Sequence, residues 1–336
     1  VEEVATVRIE SLAAGGSGVG HVDGLACFVP RTAPGDLAQV AYRAHGRYAR
    51  GRVLQLLERS GDRVEALCLH YDHDQCGGCQ LQHLSAHAQQ AAKQRIVRDA
   101  LVRVGHRDVP VPELISGAEW QYRERLTLTL RARGSGWIGG LVPVTHPGGV
   151  FELTRCEIAH PALIACWSAL RGRLRGLPEP RDGSHPLRVS LRLMRVDEPL
   201  IALVVTGGTS WPAAHAWADA ALEAYPGLRA VWWESDHGQV VHCAGDSSAD
   251  VLAFSQVNRT MAEALRGHVL QLATAMHPSS VIEAYSGRAE LSQALARQGV
   301  RVTAIESDAS ATASAAAALC AFPSARVITA LAEEAI

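Results

Sequence analysis

The sequence predicts a multidomain chain: an N-terminal OB-like β-barrel, an α+β central domain bearing a cysteine-rich loop, and the start of a Rossmann-like α/β domain. Three observations carry this. Short alternating runs fill residues 3–58, three cysteines crowd into residues 68–79, and a strand–glycine–helix–strand–acid pattern begins at Ser280. A chain of 336 residues exceeds one ordinary domain, so the boundaries are expected at 1–60, 61–250 and 251–336.

In the first segment Val4–Ile9, Leu25–Val29, Asp36–Tyr42 and Gly51–Leu57 alternate in the β manner, separated by turns at Gly15-Gly-Ser-Gly18 and Pro34-Gly35. Short strands at this spacing suit a small OB-type barrel, a frequent binder of nucleic acid. Cys27 alternates inward and is expected as a buried small hydrophobe.

The most informative stretch is Cys68-Leu-His-Tyr-Asp-His-Asp-Gln-Cys76-Gly-Gly-Cys79-Gln-Leu-Gln-His83. Thiolates this close in sequence meet at one centre only if the backbone folds tightly, and glycine permits both the φ angles and the approach of amides to sulfur. The spacing suits a metal or cluster better than a disulfide. Cys156, in Leu153-Thr-Arg-Cys156-Glu-Ile, is taken as the fourth ligand. Spacing does not separate iron from zinc, for which His70, His73 and His83 also lie nearby; free thiols or a redox pair are the remaining reading.

Leu84 to Gly105 has helical periodicity, with Ile96, Ala100 and Leu101 on one face expected to pack on the core. Residues 114–250 are strand-rich, at Arg123–Leu130, Trp137–Leu141, Leu187–Met194, Leu200–Val205 and Val231–Trp233, with helices near 161–176 and 212–224. The tryptophans, Cys166 and Cys243 are expected in the core.

From Val251 the character changes. Phe254-Ser-Gln256-Val-Asn258 leads into a helix over Met261–Leu272, followed by an apolar strand from Ser280 that ends at Gly287 and opens a helix. A second strand, Val300–Ile305, ends in Glu306-Ser-Asp308. This is the opening of a doubly wound nucleotide site, where the acid after the second strand accepts ribose hydroxyls. Only Gly287 of a G-x-G-x-x-G fingerprint is present, with Ala289 where a second glycine would stand. A pyrophosphate would be poorly cradled, which favours S-adenosylmethionine, a cofactor without phosphates; a purely structural βαβ unit is the alternative.

Composition sets the outer limits. At 48% hydrophobic and 20% charged residues the chain has a globular composition. No apolar run approaches the ~18 residues of a membrane span, and the first residues lack a signal-peptide pattern. A cytoplasmic protein with no membrane partner is expected, in which eight cysteines favour metal binding over disulfides. A formal charge of −2 announces no nucleic-acid partner. Basic residues nonetheless gather at 43–59, 93–133 and 171–195, with Lys93 the single lysine, and arginine forks suit phosphates and bases as well as they suit solvent.

Cys76-Gly-Gly-Cys79-Gln-Leu-Gln-His83 resembles the cluster-binding signature of bacterial RNA (uracil-5-)-methyltransferases, which modify uridines in 23S rRNA or tRNA. The order Gly-Gly-Ser-Gly-Val-Gly, Phe-Val-Pro, Pro-Gly-Asp is similar to the TRAM domain that precedes the cluster in many of them. The resemblance implies a 4Fe-4S cluster on Cys68, Cys76, Cys79 and Cys156, with zinc the alternative. It implies RNA contacts from Arg43, Arg47, Tyr48 and Arg50, and a cofactor site for S-adenosylmethionine formed by Gln256, Tyr285, Gly287, Glu290 and Glu306. The implied function is C5-methylation of a uridine in RNA, 23S rRNA favoured over tRNA, by a monomer. A non-catalytic or truncated RNA-binding protein, or a zinc-stapled RNA chaperone, are the alternatives. The family's nucleophilic cysteine and base follow an Asp-Pro motif absent here, so a C-terminally incomplete member without a catalytic residue is expected; Cys320 has no neighbouring His or acid in sequence to activate it.

Overall fold

Alternation over residues 3–58 closes into a six-stranded barrel-like sheet in the computed structural model, which describes residues 2–134, 136–181, 186–247 and 256–336. Phe254 and the boundary expected at 250/251 lie outside the described residues. Strands β1 (Glu3–Arg8), β2 (Ser11–Leu12), β3 (Gly18–Val22), β4 (Leu25–Val29), β5 (Leu37–His45) and β6 (Tyr48–Glu58) lie in the order β1-β5-β6-β4-β3-β2. Inward residues Val7, Val22, Cys27, Val29 and Val40 form the core, with Cys27 fully buried as expected. The glycine-rich run is more than a turn, because β3 starts at Gly18. A Cβ on Gly20 would come within 2.4 Å of the Arg8 carbonyl oxygen, so the strands cross here only with glycine in place.

The cysteine loop follows, holding the short helix α1 (Leu69–Asp72), and then α2 (Ala86–Asp99), which widens into a π-helical turn at Ala100–Val104. Ser85 caps α2, its hydroxyl accepting from the Ala88 amide. The expected core-facing stripe is overturned: no residue of α2 is buried, and Leu101 is exposed. The helix leans on Leu12, Ala33 and Leu84 through the small side chains of Ala88 and Ala92, one turn and more before Ile96 on the same face, so the contact is confined to its first half.

The central domain is a seven-stranded mixed sheet. Its elements are β7 (Arg125–Arg133), β8 (Gly136–Leu141), β9 (Phe151–Glu152), α3 (Pro161–Leu170), β10 (Arg188–Arg195), β11 (Leu200–Thr206), α4 (Ala214–Ala224), β12 (Leu228–Glu234) and β13 (Val240–Gly245). The order is β13-β12-β11-β10-β7-β8-β9. Only β11 and β12 pair in parallel in this sheet, joined through α4, as a parallel pair requires a crossover. Leucines on alternating positions of β7 and β10 meet α3 and α4 in one core that takes in Cys166, Cys243 and Trp167, Trp211, Trp217 and Trp233. Trp120 departs from the expectation for tryptophans: it is half-buried in the segment before β7 and belongs to no core cluster.

The last unit begins at α5 (Arg259–Ala275), capped by Asn258, whose side chain accepts from the Met261 amide. Then come β14 (Ser280–Ala284), α6 (Glu290–Ala296), β15 (Arg301–Glu306), α7 (Ala309–Leu319), β16 (Ala325–Thr329) and α8 (Ala332–Ala335). The three strands are parallel in the order β14-β15-β16, around Leu295, Val302, Ala304, Ala315 and Leu319. This is the wound α/β unit that the strand–glycine–helix–strand–acid pattern predicts.

Candidate cysteine cavity and cofactor cleft

Cys68, Cys76, Cys79 and Cys156 line one cavity of about 90 Å³, together with Leu126, Leu141, Leu153 and Arg123. Its walls come from the cysteine loop, from the central sheet, and from the turn after β9 that carries Cys156. A bridge between Cys76 and Pro143 pins the loop to the sheet, with Gly77 N–H donating to the Val142 carbonyl at 3.1 Å and Val144 N–H to the Gln75 carbonyl at 2.8 Å. Gly77 and Gly78 are not among the described glycines with positive φ, so conformational freedom is not what they contribute. Space is: a Cβ on Gly77 would stand 2.9 Å from the Val142 oxygen, and the Gly78 amide donates to Cys76 Sγ at 3.4 Å.

Burial pushes the Cys76 thiol up to about 11, opposed by the Gly78 amide and reinforced by the neighbouring charges of Cys79, Cys68 and Cys156. Burial likewise raises Cys79, against the hydrogen bond from Gln82, and Cys156, against the amides of Ala159 and Ile158. Such thiols keep their protons at neutral pH unless a cation displaces them. Among the described residues no group of three or more His, Cys, Asp or Glu side chains has the geometry to hold a single metal ion.

The histidines near this loop are structural. His70 is buried; its Nδ1 lies 2.6 Å from Asp74, and its Nε2 accepts the Thr154 amide at 3.2 Å, two residues before Cys156. His83 Nε2 donates to the Thr32 carbonyl at 3.2 Å, which leaves Nδ1 to accept the Tyr71 hydroxyl at 2.6 Å. Arg31, on the β4–β5 turn of the barrel, was not singled out by sequence. Its guanidinium lies 3.9 Å over the Tyr71 ring, donates to the Tyr71 carbonyl, and reaches the Cys76 carbonyl at 3.0 Å. Beside it the buried Asp36 accepts from Arg63 at 2.7 Å and from the Ala33 and Ser60 amides at 2.6 and 2.9 Å. The barrel and the cysteine loop are thereby bolted together.

At the carboxyl edge of the parallel sheet, Glu306 accepts the Gly287 amide at 2.9 Å and, on its other oxygen, the Ser307 and Asp308 amides at 2.8 and 2.9 Å. Those amides, the Asp308 amide foremost, outweigh partial burial and hold its carboxyl below the usual range. Tyr285, Gly287 and Ala289 all take left-handed φ values (55°, 54° and 58°), so the loop is wound tightly around this contact. Between them the buried Ser286 hydroxyl has no hydrogen-bond partner among the described residues. Tyr285 is exposed and donates its hydroxyl to Glu333.

Two of the predicted residues stand apart from this contact. The Glu290 carboxylate is held in an ion pair with Arg266 of α5, and Gln256 is exposed two residues before the α5 cap, with no hydrogen bond to Tyr285, Gly287 or Glu306. Sequence also passed over Glu283, whose carboxylate accepts the Ser292 amide and hydroxyl at 2.9 and 2.6 Å and anchors α6. An acid inside an apolar strand was the available signal.

On the β5–β6 hairpin, Arg43 pairs with Arg50 and His45 with Tyr48, so all four side chains share one face. Tyr48 stacks on His45 at 5.6 Å, meets Phe28 edge-on at 5.9 Å, and lies 5.8 Å beneath Arg50. Arg47 is exposed in the turn. His45 and Phe28 complete an aromatic platform that only strand pairing reveals.

A family model for the TRAM domain matches residues 1–54. An uncharacterized RNA methyltransferase of Thermosynechococcus vestitus is 30% identical over 328 residues, covering 89% of this chain and 72% of the relative. The 23S rRNA (uracil(1939)-C(5))-methyltransferase RlmD of Methylococcus capsulatus is 28% identical over 339 residues, covering 93% of this chain and 73% of the relative. In fold, the chain is similar to the Pyrococcus abyssi tRNA (uracil-54, C5)-methyltransferase solved with S-adenosyl-L-homocysteine (TM-score 0.64, 18% identity, covering 97% of this chain and 79% of that one). The class so defined is a TRAM-bearing methyltransferase fold. The chain belongs to the RNA (uracil-5-)-methyltransferase family. These alignments span nearly all of this chain and about seven tenths of each relative's own length.

Proposed function

We propose that this chain methylates C5 of a uridine in RNA with S-adenosylmethionine as donor, and that its substrate is 23S rRNA rather than tRNA. The observation that carries the reading is the Glu306–Gly287 contact at the carboxyl ends of parallel strands, beside a buried Ser286 hydroxyl without a partner among the described residues. A carboxylate has about four acceptor positions, and the Glu306 oxygen bonded to Gly287 has capacity for a ribose hydroxyl. When bound, S-adenosylmethionine supplies a methyl group on a sulfonium. Glu306 orients its ribose, the tight 285–289 loop bounds the site, and the barrel hairpin with Arg43, Arg47, Tyr48 and Arg50 holds the nucleic acid. Gln256 and Tyr285 complete the cofactor set in this reading; Glu290, tied to Arg266, acts through the position of α6. Methylation at C5 also needs a nucleophile at C6 and a base for the C5 proton; no residue of this chain is assigned to either role.

We further propose that Cys68, Cys76, Cys79 and Cys156 hold a 4Fe-4S cluster. Two features support this. All four candidate donors are thiols, the ligand type such clusters take, and all four line one cavity of about 90 Å³. The cluster, when bound, ties the loop, the central sheet and the Cys156 turn into one body.

The test uses protein purified without oxygen, a labelled methyl donor, and unmodified 23S rRNA and tRNA transcripts, with iron and sulfide assayed on the same preparation. Methyl incorporation into rRNA above tRNA is expected, with about four irons per chain. Transfer to neither RNA by protein that binds the donor would refute the activity, and one zinc per chain would refute the cluster.

A further inference from the structure

We propose that the groove between α2 and residues 114–122 binds one unpaired nucleotide of the RNA substrate, distinct from the methyl-accepting uridine. The inference rests on the reading that the chain acts on RNA, and it adds a site which that reading does not contain. The groove holds about 450 Å³, and its lining includes both Cys79 of the cysteine loop and Asn258, the cap of α5. Pockets of roughly 300–1,000 Å³ take small organic ligands, and this one has room for a nucleotide but not for a duplex.

Its lining has the chemistry of single-strand recognition. Trp167, Trp211, Trp217 and Trp233 each donate their indole N–H to a backbone carbonyl inside the core. Trp120 lies outside the core, half-buried in the groove wall, and its N–H makes no hydrogen bond among the described residues. Gln121, which follows it, takes a left-handed φ of 58° and is anchored by its amide to the Glu157 carbonyl at 2.9 Å, so the Trp120–Tyr122 turn is fixed. Across the groove, Gln80 and Gln89 each use the side-chain nitrogen on a backbone carbonyl, at 3.2 and 3.0 Å, and keep their oxygens as acceptors. Gln90 uses neither end within the described residues. An indole face with amide edges opposite is what a splayed base requires. Lys93, exposed on α2, suits a phosphate, and Glu119, from the 114–122 segment, repels one, which places the phosphate on the α2 side of the groove.

The test is photocross-linking of short RNA oligonucleotides carrying 4-thiouridine, with peptide mapping, on the full chain and on Trp120→Ala and Gln90→Ala. Cross-links at 119–122 or 89–93 are expected, and either substitution should weaken binding, Trp120→Ala by about tenfold, with donor affinity unchanged. Gln90 is on the surface of α2, so its variant stays informative if Trp120→Ala fails to fold. If both variants bind like the parent and cross-links fall only in the 43–50 hairpin, the groove is excluded while the RNA reading stands. If the parent binds no RNA, the RNA reading falls as well.

Discussion

Replacing Arg31 tests whether the barrel holds the cysteine loop in place. Its guanidinium donates to the Tyr71 and Cys76 carbonyls and lies over the Tyr71 ring. Hydrogen bonds from a charged donor contribute about 1.5–3 kcal/mol each, and a partly desolvated cation–π contact about 0.5–2 kcal/mol. The three share one side chain and do not add fully, so Arg31→Ala should destabilise loop docking by about 3 kcal/mol. Arg31 also sits at a φ of 60°, where any Cβ is strained and glycine is not. Arg31→Gly should therefore recover about 1 kcal/mol of that loss. Because several domains share the chain, local hydrogen exchange is the suitable assay. The Cys76 and Gly77 amides, bonded to His70 and Val142, report loop opening. An increase of about a hundredfold in their exchange is expected for the alanine variant, about 3 kcal/mol, with the glycine variant in between. An increase below threefold, or an equal one throughout the chain, would refute the docking argument.

Glu306→Gln keeps the shape of the side chain but removes its charge, and should weaken S-adenosylmethionine binding by roughly tenfold in calorimetry; unchanged affinity would remove Glu306 from the site. Gly77→Ala places a methyl 2.9 Å from the Val142 oxygen, so it should cost about 1–3 kcal/mol and shift the thermal midpoint down, whereas Gly61→Ala, with open space around it and no positive φ, should lack that clash. Asp36 is fully buried; burial raises its carboxyl, but Arg63 and the Ala33 and Ser60 amides outweigh that and leave it below the usual range. Its contribution is therefore complete above the unfolded value of about 3.9 and is lost as pH falls from there through the lower folded value. The stability gap between the parent and Asp36→Asn, followed by urea unfolding, should be large at neutral pH and narrow only in that acid window.

The elements were legible to the extent that their causes are local. Alternation marks β7 and β10 because one face of each strand meets the central core, and the glycine turn at Gly287 followed by Glu306 marks the α/β unit because loop and acid must fall at fixed distances along the chain. The α2 stripe misled: periodicity tells which residues share a face, but the neighbour decides how much of that face is covered, and here the contact with Leu12, Ala33 and Leu84 runs through Ala88 and Ala92 and stops short of Leu101. Glu290 was legible as a polar residue opening a helix, yet its partner, Arg266, lies 24 residues away in sequence.

Sequence alone determined the chemical inventory: four thiols, three of them close together in the chain, an acid at the end of a strand in the α/β unit, and an arginine hairpin on a small barrel. It did so because residue type and short-range spacing are properties of the chain itself. Only the tertiary structure decided that Cys156 faces the other three cysteines, that Arg31 and His83 join barrel to loop, and that Trp120 lines a groove rather than a core. Those meetings join residues dozens of positions apart, and their energy comes from packing between faces, which no local pattern encodes.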